Sequence, residues 1–239
     1  MKKIFLLLIF VVVNEVRSQG LNTNFTYSVY SPPVKTKKPP VVFMLHGYGS
    51  NEGDLFGLAD KLDKRLMVIS LRAPRITKNG GYCWYELDFL ANGEFRYNYQ
   101  QVLESKKLIL DFIKKACDEF DLDSTQIYLM GFSQGAILSY ELAFSFPERI
   151  KGILALSGRM LEETKLLTAS QKQISHINFF IAHGSNDHVI NSIESETAHT
   201  YVKSKTSYQV FYKVYAMAHT IQQDELKDIQ RWFGEKLIK

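Results

Sequence analysis

The segment GFSQG, at positions 131–135, joins an apolar run at 127–130 to a stretch with helical spacing at 136–146. A glycine–X–serine–X–glycine segment in this setting is typical of a sharp turn from a strand into a helix. Both glycines are expected, because a side chain at either position would collide with the neighbouring strand or helix. The segment therefore predicts a strand, a tight turn that exposes the hydroxyl of Ser133, and a helix.

The rest of the chain alternates between short apolar runs and longer stretches with helical spacing. This order predicts an α/β fold, with a mostly parallel sheet of about seven strands and helices on both faces. The expected strands are residues 25–30, 41–45, 66–70, 126–130, 152–156, 177–182 and 208–214. The expected helices are residues 51–62, 99–120, 133–146, 191–203 and 221–237. Residues 71–98 are expected to form a long loop rich in aromatic side chains, and residues 158–176 leave room for one short helix.

The composition supports a globular protein. The chain has 239 residues, of which 46% are hydrophobic and 23% are charged, so it can bury a sizeable core. These values exclude a disordered chain, a collagen-like chain and a small protein held by disulfides. The formal net charge is only +4, and we therefore expect no nucleic-acid partner.

The first eighteen residues differ from the rest. Lys2 and Lys3 precede an apolar run at 4–13, and a short polar stretch then leads to Ser18. A helix over the apolar run would be about 15 Å long, half of the roughly 30 Å of a hydrocarbon core. The pattern predicts a signal peptide at 1–18 and one α/β domain at 19–239, secreted or periplasmic. A buried N-terminal strand is the alternative.

The two cysteines, Cys83 and Cys117, are far from the predicted cleavage site. Neither could carry a lipid at a new N-terminus, so we expect no stable membrane anchor. A disulfide between them is possible in an oxidising compartment, although two separate packed thiols are the favoured interpretation.

A serine hydroxyl becomes a good nucleophile only when a base takes its proton, and an acid must orient that base. After a strand–serine–helix turn, the acid and then the histidine are expected further along the chain. Asp187 follows the expected strand at 177–182, and His219 follows the last expected strand. We therefore predict Ser133 as nucleophile, Asp187 as acid and His219 as base. Glu194 and Glu196 are other candidate acids, and capping of the last helix is the alternative role for His219.

The remaining histidines fit these roles less well. His176 and His183 precede the acid, His188 adjoins it, and His199 lies inside an expected helix. His46 precedes the serine and is expected to fix its loop through a hydrogen bond. A metal site built from His183, Asp187 and His188 is disfavoured, because no third histidine falls at a familiar spacing. We expect no metal and no organic cofactor.

A tetrahedral intermediate needs hydrogen-bond donors for its negatively charged oxygen. One predicted donor is the backbone N–H of Gln134, at the positive end of the helix that follows Ser133. The other is the backbone N–H of Tyr48, because the glycines at 47 and 49 let this loop pass close to a substrate.

Seven motifs occur in one order along the chain. They are LHGYGSNEGDL at 45–55, LRAP at 71–74, GYCWYEL at 81–87, GFSQGA at 131–136, LSG at 156–158, HGSNDHVI at 183–190 and AHTI at 218–221. From about residue 40 to 233 the chain resembles the phospholipase/carboxylesterase family of α/β hydrolases, which includes acyl-protein thioesterases. The resemblance implies an α/β-hydrolase fold, the triad Ser133, Asp187 and His219, and a loop around Trp84 that lines the acyl site. The chain departs from the family pattern at Ala136, Asn191 and Ala218.

These features together predict a serine esterase without a lid domain. It would cleave small-molecule carboxylic esters of short to medium acyl chains through an acyl-enzyme. One alternative is a feruloyl or acetyl esterase acting on plant polysaccharide. An inactive, hydrolase-like binding protein is the alternative from a different class. The sequence does not indicate an oligomeric state.

Overall fold

The computed structural model describes residues 25–89, 95–167 and 174–237. The predicted signal peptide at 1–18 lies outside these ranges. Within them, every helix is too short or too polar to cross a membrane.

Eleven strands are described: β1 Tyr27–Tyr30, β2 Val41–Leu45, β3 Met67–Leu71, β4 Arg75–Ile76, β5 Tyr82–Cys83, β6 Leu87–Phe89, β7 Phe95–Tyr97, β8 Ile127–Phe132, β9 Gly152–Leu156, β10 Asn178–Gly184 and β11 Phe211–Tyr215. The α-helices of the same ranges are α1 Gly53–Phe56, α2 Tyr99–Glu119, α3 Gln134–Ser145, α4 Glu162–Leu166, α5 Ile193–Lys205 and α6 Gln223–Lys236. Short 3-10 helices occur at Ala59–Lys61 and Pro147–Arg149.

Seven strands form the central sheet in the order β1-β3-β2-β8-β9-β10-β11. β1 runs antiparallel to β3, and all other neighbours are parallel. The predicted α/β class and strand number are confirmed. Each expected strand is present, with ends that differ by a few residues.

The central strands are buried on both faces of the sheet. In β2, Val41, Phe43 and Leu45 pack into the core layer beneath α2, α3 and α5. Val42 and Met44 point to the opposite layer, beneath α1 and α6. A strand covered on both sides needs apolar residues at every position, which explains why these strands appear as continuous apolar runs.

Two predicted segments differ in the structure. The single helix expected at 51–62 is instead α1 followed by a 3-10 turn, and the break falls at Gly57. Glycine has a low helix propensity, so ending the helix there costs little free energy. The loop expected at 71–98 contains β4 to β7, which form two small antiparallel pairs. Gly80 and Gly81, with φ of 85° and 74°, make the turn between β4 and β5.

Cys83 and Cys117 are separate buried thiols. The favoured interpretation of the two cysteines is therefore confirmed, and the disulfide alternative is wrong. Between β9 and β10 the structure has the short helix α4, where the sequence leaves room for one, while residues 168–173 lie outside the described ranges.

The parallel strands bring the predicted site residues together. β2, β8, β10 and β11 all end at the same edge of the sheet. The loops that follow these four strands carry Tyr48, Ser133, Asp187 and His219, respectively. This edge is where ligands bind in open α/β sheets.

Candidate active site

Ser133 occupies the turn between β8 and α3 in a strained backbone conformation. Its φ is 52° and its ψ is −115°, a combination that residues other than glycine rarely adopt. The turn is held by two backbone hydrogen bonds: Ser133 N–H donates to the Leu156 carbonyl at 2.9 Å, and Ile137 N–H donates to the Ser133 carbonyl at 3.1 Å. The surrounding fold thus maintains the sharp strand-to-helix turn that the sequence predicts.

The glycines beside Ser133 leave no room for a side chain. A Cβ at Gly131 would lie 2.2 Å from the Gly135 carbonyl oxygen. A Cβ at Gly135 would lie 1.9 Å from the carbonyl oxygen of Leu45, at the end of β2. The steric reason given for both glycines is confirmed.

Asp187 and His219 are joined by a hydrogen bond. Nδ1 of His219 lies 2.6 Å from Oδ2 of Asp187, and because a carboxylate only accepts, Nδ1 donates. The other carboxylate oxygen, Oδ1, accepts from the backbone N–H groups of Val189 at 2.8 Å and Ile190 at 2.9 Å. Burial disfavours the charged carboxylate, but these hydrogen bonds outweigh it and keep the pKa of Asp187 below its usual 3.8.

A close contact between two loops brings Asp187 to His219. The N–H groups of Ser185 and Asn186 donate to the carbonyls of Tyr215 and Met217, at 2.8 and 3.0 Å. At Gly184 a Cβ would lie 2.3 Å from the Met217 carbonyl oxygen. This approach therefore requires glycine, a role that the sequence analysis did not assign to Gly184. The only sequence signal for it is its place at the end of a strand, directly before the loop that carries Asp187.

Ser133 and His219 line one cavity of about 160 Å³. Its other polar members are Gln134 and Tyr48. Its apolar wall comes from α3, from the β6–β7 pair and from the loop after Asp187: Leu87, Phe95, Ile137, Val189 and Ile190. The cavity thus combines two of the predicted reacting groups with an apolar surface, as expected for a small-molecule site.

The loop after β2 lies directly over the serine turn. A Cβ at Gly47 would lie 3.4 Å from the Ser133 Cβ, so this backbone passes close to the serine. Gly49, with a φ of 80°, donates its N–H to the Tyr82 carbonyl at 2.8 Å. A bidentate ion pair between Arg72 and Glu52, at 2.5 and 2.6 Å, anchors the far side of the loop. Neighbouring elements on both sides therefore fix the position of Tyr48.

His46 has both ring nitrogens engaged inside the protein. Nδ1 donates to the Gly47 carbonyl at 2.7 Å, and Nε2 accepts from the N–H of Ala73 at 3.0 Å. Burial lowers the pKa of His46 below 6.5, so the ring is neutral at neutral pH. The predicted loop-fixing role of His46 is confirmed.

The structure corrects the predicted role of Trp84. Its side chain is fully buried, and it is not among the described residues that line the cavity. Its indole N–H donates to the His46 carbonyl at 2.9 Å. Nearby rings, Phe95 and Tyr48, contribute to the cavity wall in its place. Trp84 thus supports the site from behind: its ring packs in the core against Phe25, at a centroid distance of 6.1 Å and an interplanar angle of 56°.

The side chain of Gln134 has a role that the sequence analysis missed. Its amide oxygen accepts from the N–H of Trp84 at 2.8 Å, and its amide nitrogen donates to the Tyr85 carbonyl at 2.7 Å. This double contact holds the aromatic segment against the start of α3. The predicted backbone donor at Gln134 lies in the first turn of α3, where N–H groups have no partner within the helix.

His183 and His188 lie in different environments. His183 is fully buried and donates from Nε2 to the Ile190 carbonyl at 2.8 Å, whereas His188 is exposed. Burial lowers the pKa of His183 below 6.5. In the described ranges no three His, Cys, Asp or Glu side chains are grouped so that they could hold a metal ion. His183 instead supports the loop that carries Asp187.

The sequence model of the phospholipase/carboxylesterase family matches residues 27–236. Acyl-protein thioesterase 1 of Debaryomyces hansenii is 27% identical over 168 residues, which cover 69% of this chain and 72% of the relative. Acyl-protein thioesterase 1 of Yarrowia lipolytica is 24% identical over 223 residues, which cover 88% of this chain and 98% of the relative.

Solved structures are similar over nearly the whole described fold. The Bacillus cereus carboxylesterase superposes with a TM-score of 0.77 at 24% identity, covering 90% of this chain and 96% of the other. The esterase PE8 gives a TM-score of 0.74 at 25% identity, with 89% and 99% covered. These similarities establish the α/β-hydrolase fold. Because the family model spans residues 27–236, the chain belongs to the phospholipase/carboxylesterase family.

Proposed function

We propose that this protein is a carboxylic ester hydrolase that works through an acyl-enzyme on Ser133. The observation that carries the proposal is that a strained serine and a histidine hydrogen-bonded to a buried carboxylate line the same cavity. Such an arrangement supplies the nucleophile, the base and the group that orients the base.

The hydrogen bond to Asp187 decides which nitrogen of His219 can act as the base. Because Nδ1 carries the proton that Asp187 accepts, Nε2 has a free lone pair. His219 would take the Ser133 proton through Nε2 while the serine oxygen attacks the ester carbonyl. Asp187 then stabilises the imidazolium without itself becoming protonated.

The charge that develops on the carbonyl oxygen needs donors already in position. The backbone N–H of Gln134 and that of Tyr48 are the proposed pair, supported by the close approach of the Gly47 loop to Ser133. Loss of one such donor typically costs about 3 to 4 kcal/mol of transition-state stabilisation. His219 would next protonate the leaving alcohol, and a water molecule activated by the same base would release the acid and restore Ser133.

The cavity size supports esters of short to medium acyl chains. Its volume of about 160 Å³ is smaller than the several hundred Å³ typical of sites for drug-sized ligands. The aromatic rings of Tyr48 and Phe95 in the wall give one reason to include phenolic acyl groups as a second candidate. A substrate panel should therefore compare 4-nitrophenyl esters of increasing chain length, a butyryl thioester, methyl ferulate and acetylated xylan.

Labelling with a fluorophosphonate tests the reaction class. We expect the wild-type protein to label, the Ser133→Ala variant not to label, and the Ser185→Ala variant to label normally. Ser185 is a matched control because it is an exposed serine in the loop that carries Asp187. A wild-type protein that neither labels nor hydrolyses any ester of the panel would favour the inactive binding protein and exclude our proposal.

We also propose that the protein is secreted or periplasmic, on the basis of the basic and apolar residues at 1–18. The mature chain would begin at Gln19. Expression of the full sequence in its host, followed by fractionation and N-terminal sequencing, tests this. Intact Met1 on protein found in the cytosol would contradict it.

A further inference from the structure

Arg159 lies beside the serine turn, just after β9. Ser157, with a φ of 49°, turns the chain at the end of this strand. The next residue, Gly158, packs against the start of α3: a Cβ there would lie 2.4 Å from the Ala136 Cβ and 3.3 Å from the Ser133 carbonyl oxygen. Arg159 therefore directly follows a glycine that packs against the turn holding the proposed nucleophile.

The Arg159 side chain lies against a wall of the cavity. Its guanidinium carbon is 3.8 Å from the centre of the Phe95 ring, and Phe95 lines the cavity that contains Ser133 and His219. Arginine stacks on aromatic faces in this way while leaving its N–H groups at the rim of the ring open for an anion.

The positive charge of Arg159 has no carboxylate partner within the described ranges. Arg72 and Arg75 are both hydrogen-bonded to glutamates, whereas Arg159 makes neither a hydrogen bond nor an ion pair there, and its Nε is buried without an acceptor. Leaving a buried donor without an acceptor is unfavourable, so a polar ligand that supplies an acceptor would be favoured.

The neighbouring charged groups are already engaged. Glu163 accepts a hydrogen bond from the Tyr97 hydroxyl at 2.6 Å, and Glu141 binds Lys106 at 3.1 Å. Among the described residues the buried hydroxyl of Tyr85 has no hydrogen-bond partner. Burial raises the pKa of Tyr85, and the positive charge of nearby Arg159 opposes that rise. The surroundings of Arg159 therefore contain donors that lack acceptors, as a carboxylate-binding subsite requires.

We propose that Arg159 binds a carboxylate on the substrate, so that the preferred substrates are small esters that also carry an anionic group. This inference rests on the proposed ester hydrolysis and narrows its substrate class. A guanidinium matches a carboxylate with two parallel hydrogen bonds. Arg159 does not itself line the cavity, but its contact with Phe95 places it next to the cavity wall, where the far carboxylate of a short dicarboxylic half-ester would extend beyond the acyl cavity. The carboxylate could also lie on the alcohol side of the ester.

Paired substrates that differ by one carboxylate group test the inference. For the acyl side we would compare 4-nitrophenyl hemiglutarate with 4-nitrophenyl butyrate. For the alcohol side we would compare the butyrate ester of 4-hydroxybenzoate with phenyl butyrate. In at least one pair the wild-type kcat/KM should be higher for the anionic ester. The pair that shows this preference identifies whether the bound carboxylate lies on the acyl or the alcohol side of the ester.

Arg159→Leu keeps apolar bulk against Phe95 but removes the charge. We expect it to lower kcat/KM about 10- to 100-fold for the preferred anionic ester, the loss typical of one hydrogen bond to a charged group. The change for the neutral ester should stay within about 3-fold, and Arg159→Lys should restore part of the loss. Arg149→Leu is the matched control, since Arg149 is an exposed arginine at the end of the 3-10 helix Pro147–Arg149.

Two outcomes would overturn the inference while leaving ester hydrolysis intact. One is a wild-type enzyme with no preference for either anionic ester, and the other is an Arg159→Leu variant that loses activity equally on charged and neutral esters. A calorimetric titration with monomethyl glutarate gives a readout that does not need turnover. Binding that is lost in Arg159→Leu supports the subsite even if no ester is cleaved, whereas absence of binding to the wild-type protein contradicts it.

Discussion

Nδ1 of His219 and Oδ2 of Asp187 are 2.6 Å apart, although the two residues are 32 positions apart in the sequence. The contact fixes the ring so that its Nε2 can accept a proton. It exists because the loops after β10 and β11 are held together by backbone hydrogen bonds at the same edge of the sheet.

Asp187→Asn should strongly reduce turnover. The asparagine oxygen would accept from Val189 and Ile190, so its NH₂ group would face His219 and select the tautomer with the proton on Nε2. That tautomer cannot take the Ser133 proton, and kcat should fall about 10⁴-fold near neutral pH. Steady-state kinetics measure the loss, with Asp224→Asn, an exposed aspartate of α6, as the control. A loss of less than about 10-fold would argue against this role for Asp187.

Trp84→Phe should reduce stability without changing substrate choice. The variant loses the hydrogen bond from the indole N–H to the buried His46 carbonyl, at a cost of about 1 to 3 kcal/mol. Urea denaturation measures the free energy of unfolding, and nitrophenyl esters measure chain-length preference. Trp232→Phe is a matched control, because Trp232 is buried but makes no side-chain hydrogen bond within the described residues. A shifted chain-length preference in Trp84→Phe would instead indicate that Trp84 contacts the acyl chain.

Leu87→Ala should shift the preference toward longer acyl chains. Leu87 lines the cavity, and removing its side chain gives an acyl chain more room. We expect the ratio of kcat/KM for octanoate over butyrate to rise several-fold. Leu166→Ala is the control, because Leu166 is 85% exposed and lies outside the cavity. An unchanged ratio would mean that the acyl chain occupies another surface.

Gly135→Ala should prevent normal folding of the serine turn. The new Cβ would need to lie 1.9 Å from the Leu45 carbonyl oxygen, so β2 and α3 would have to separate. The cost of such overpacking is about 3 kcal/mol or more. Gly234→Ala provides a matched control in α6, where a Cβ meets nothing within 4 Å, and it should stabilise the protein by about 0.4 to 1 kcal/mol. Melting temperatures of both variants test the contrast.

Because of Glu225, the free energy of unfolding should fall as the pH rises. The side chain is fully buried near the start of α6, and its carboxyl oxygens make no hydrogen bond of ordinary geometry within the described residues. Burial raises its pKa from 4.5 to about 8. A raised pKa favours the protonated form in the folded state. The contribution of Glu225 to the free energy of unfolding is therefore fully present below pH 4.5 and is lost progressively up to about pH 8.

Glu225→Gln preserves the neutral shape and cannot ionise. Its melting temperature should match the wild type at pH 5 and exceed it at pH 9, since each pH unit in the window costs the wild type at most about 1.4 kcal/mol. Glu235→Gln, on the exposed side of the same helix, should show no such divergence. Equal differences between Glu225→Gln and the wild type at both pH values would contradict the prediction.

The local sequence pattern was sufficient to predict the fold and the order of the site residues. The strand ending at Phe132 and the helix beginning at Gln134 follow from the local pattern, with glycines at 131 and 135. A side chain at Gly131 would clash with a near neighbour in the chain, whereas one at Gly135 would clash with Leu45 of β2. Parallel strands also end at a common edge, so the order of the strands predicted that the loops carrying Asp187 and His219 would lie near Ser133. Signals for the helix break at Gly57 and for the β4–β7 pairs are weaker, because such short elements depend on the contacts around them.

Tertiary contacts decided the rest. The place of Trp84 behind the site, the Gln134 side chain bridging to Tyr85, and the open guanidinium of Arg159 over Phe95 all join segments that are far apart in sequence. An aromatic or charged residue in a motif does not reveal whether its side chain faces the cavity or the core. That choice depends on which neighbours remove it from water, and only the packed arrangement of the segments determines those neighbours.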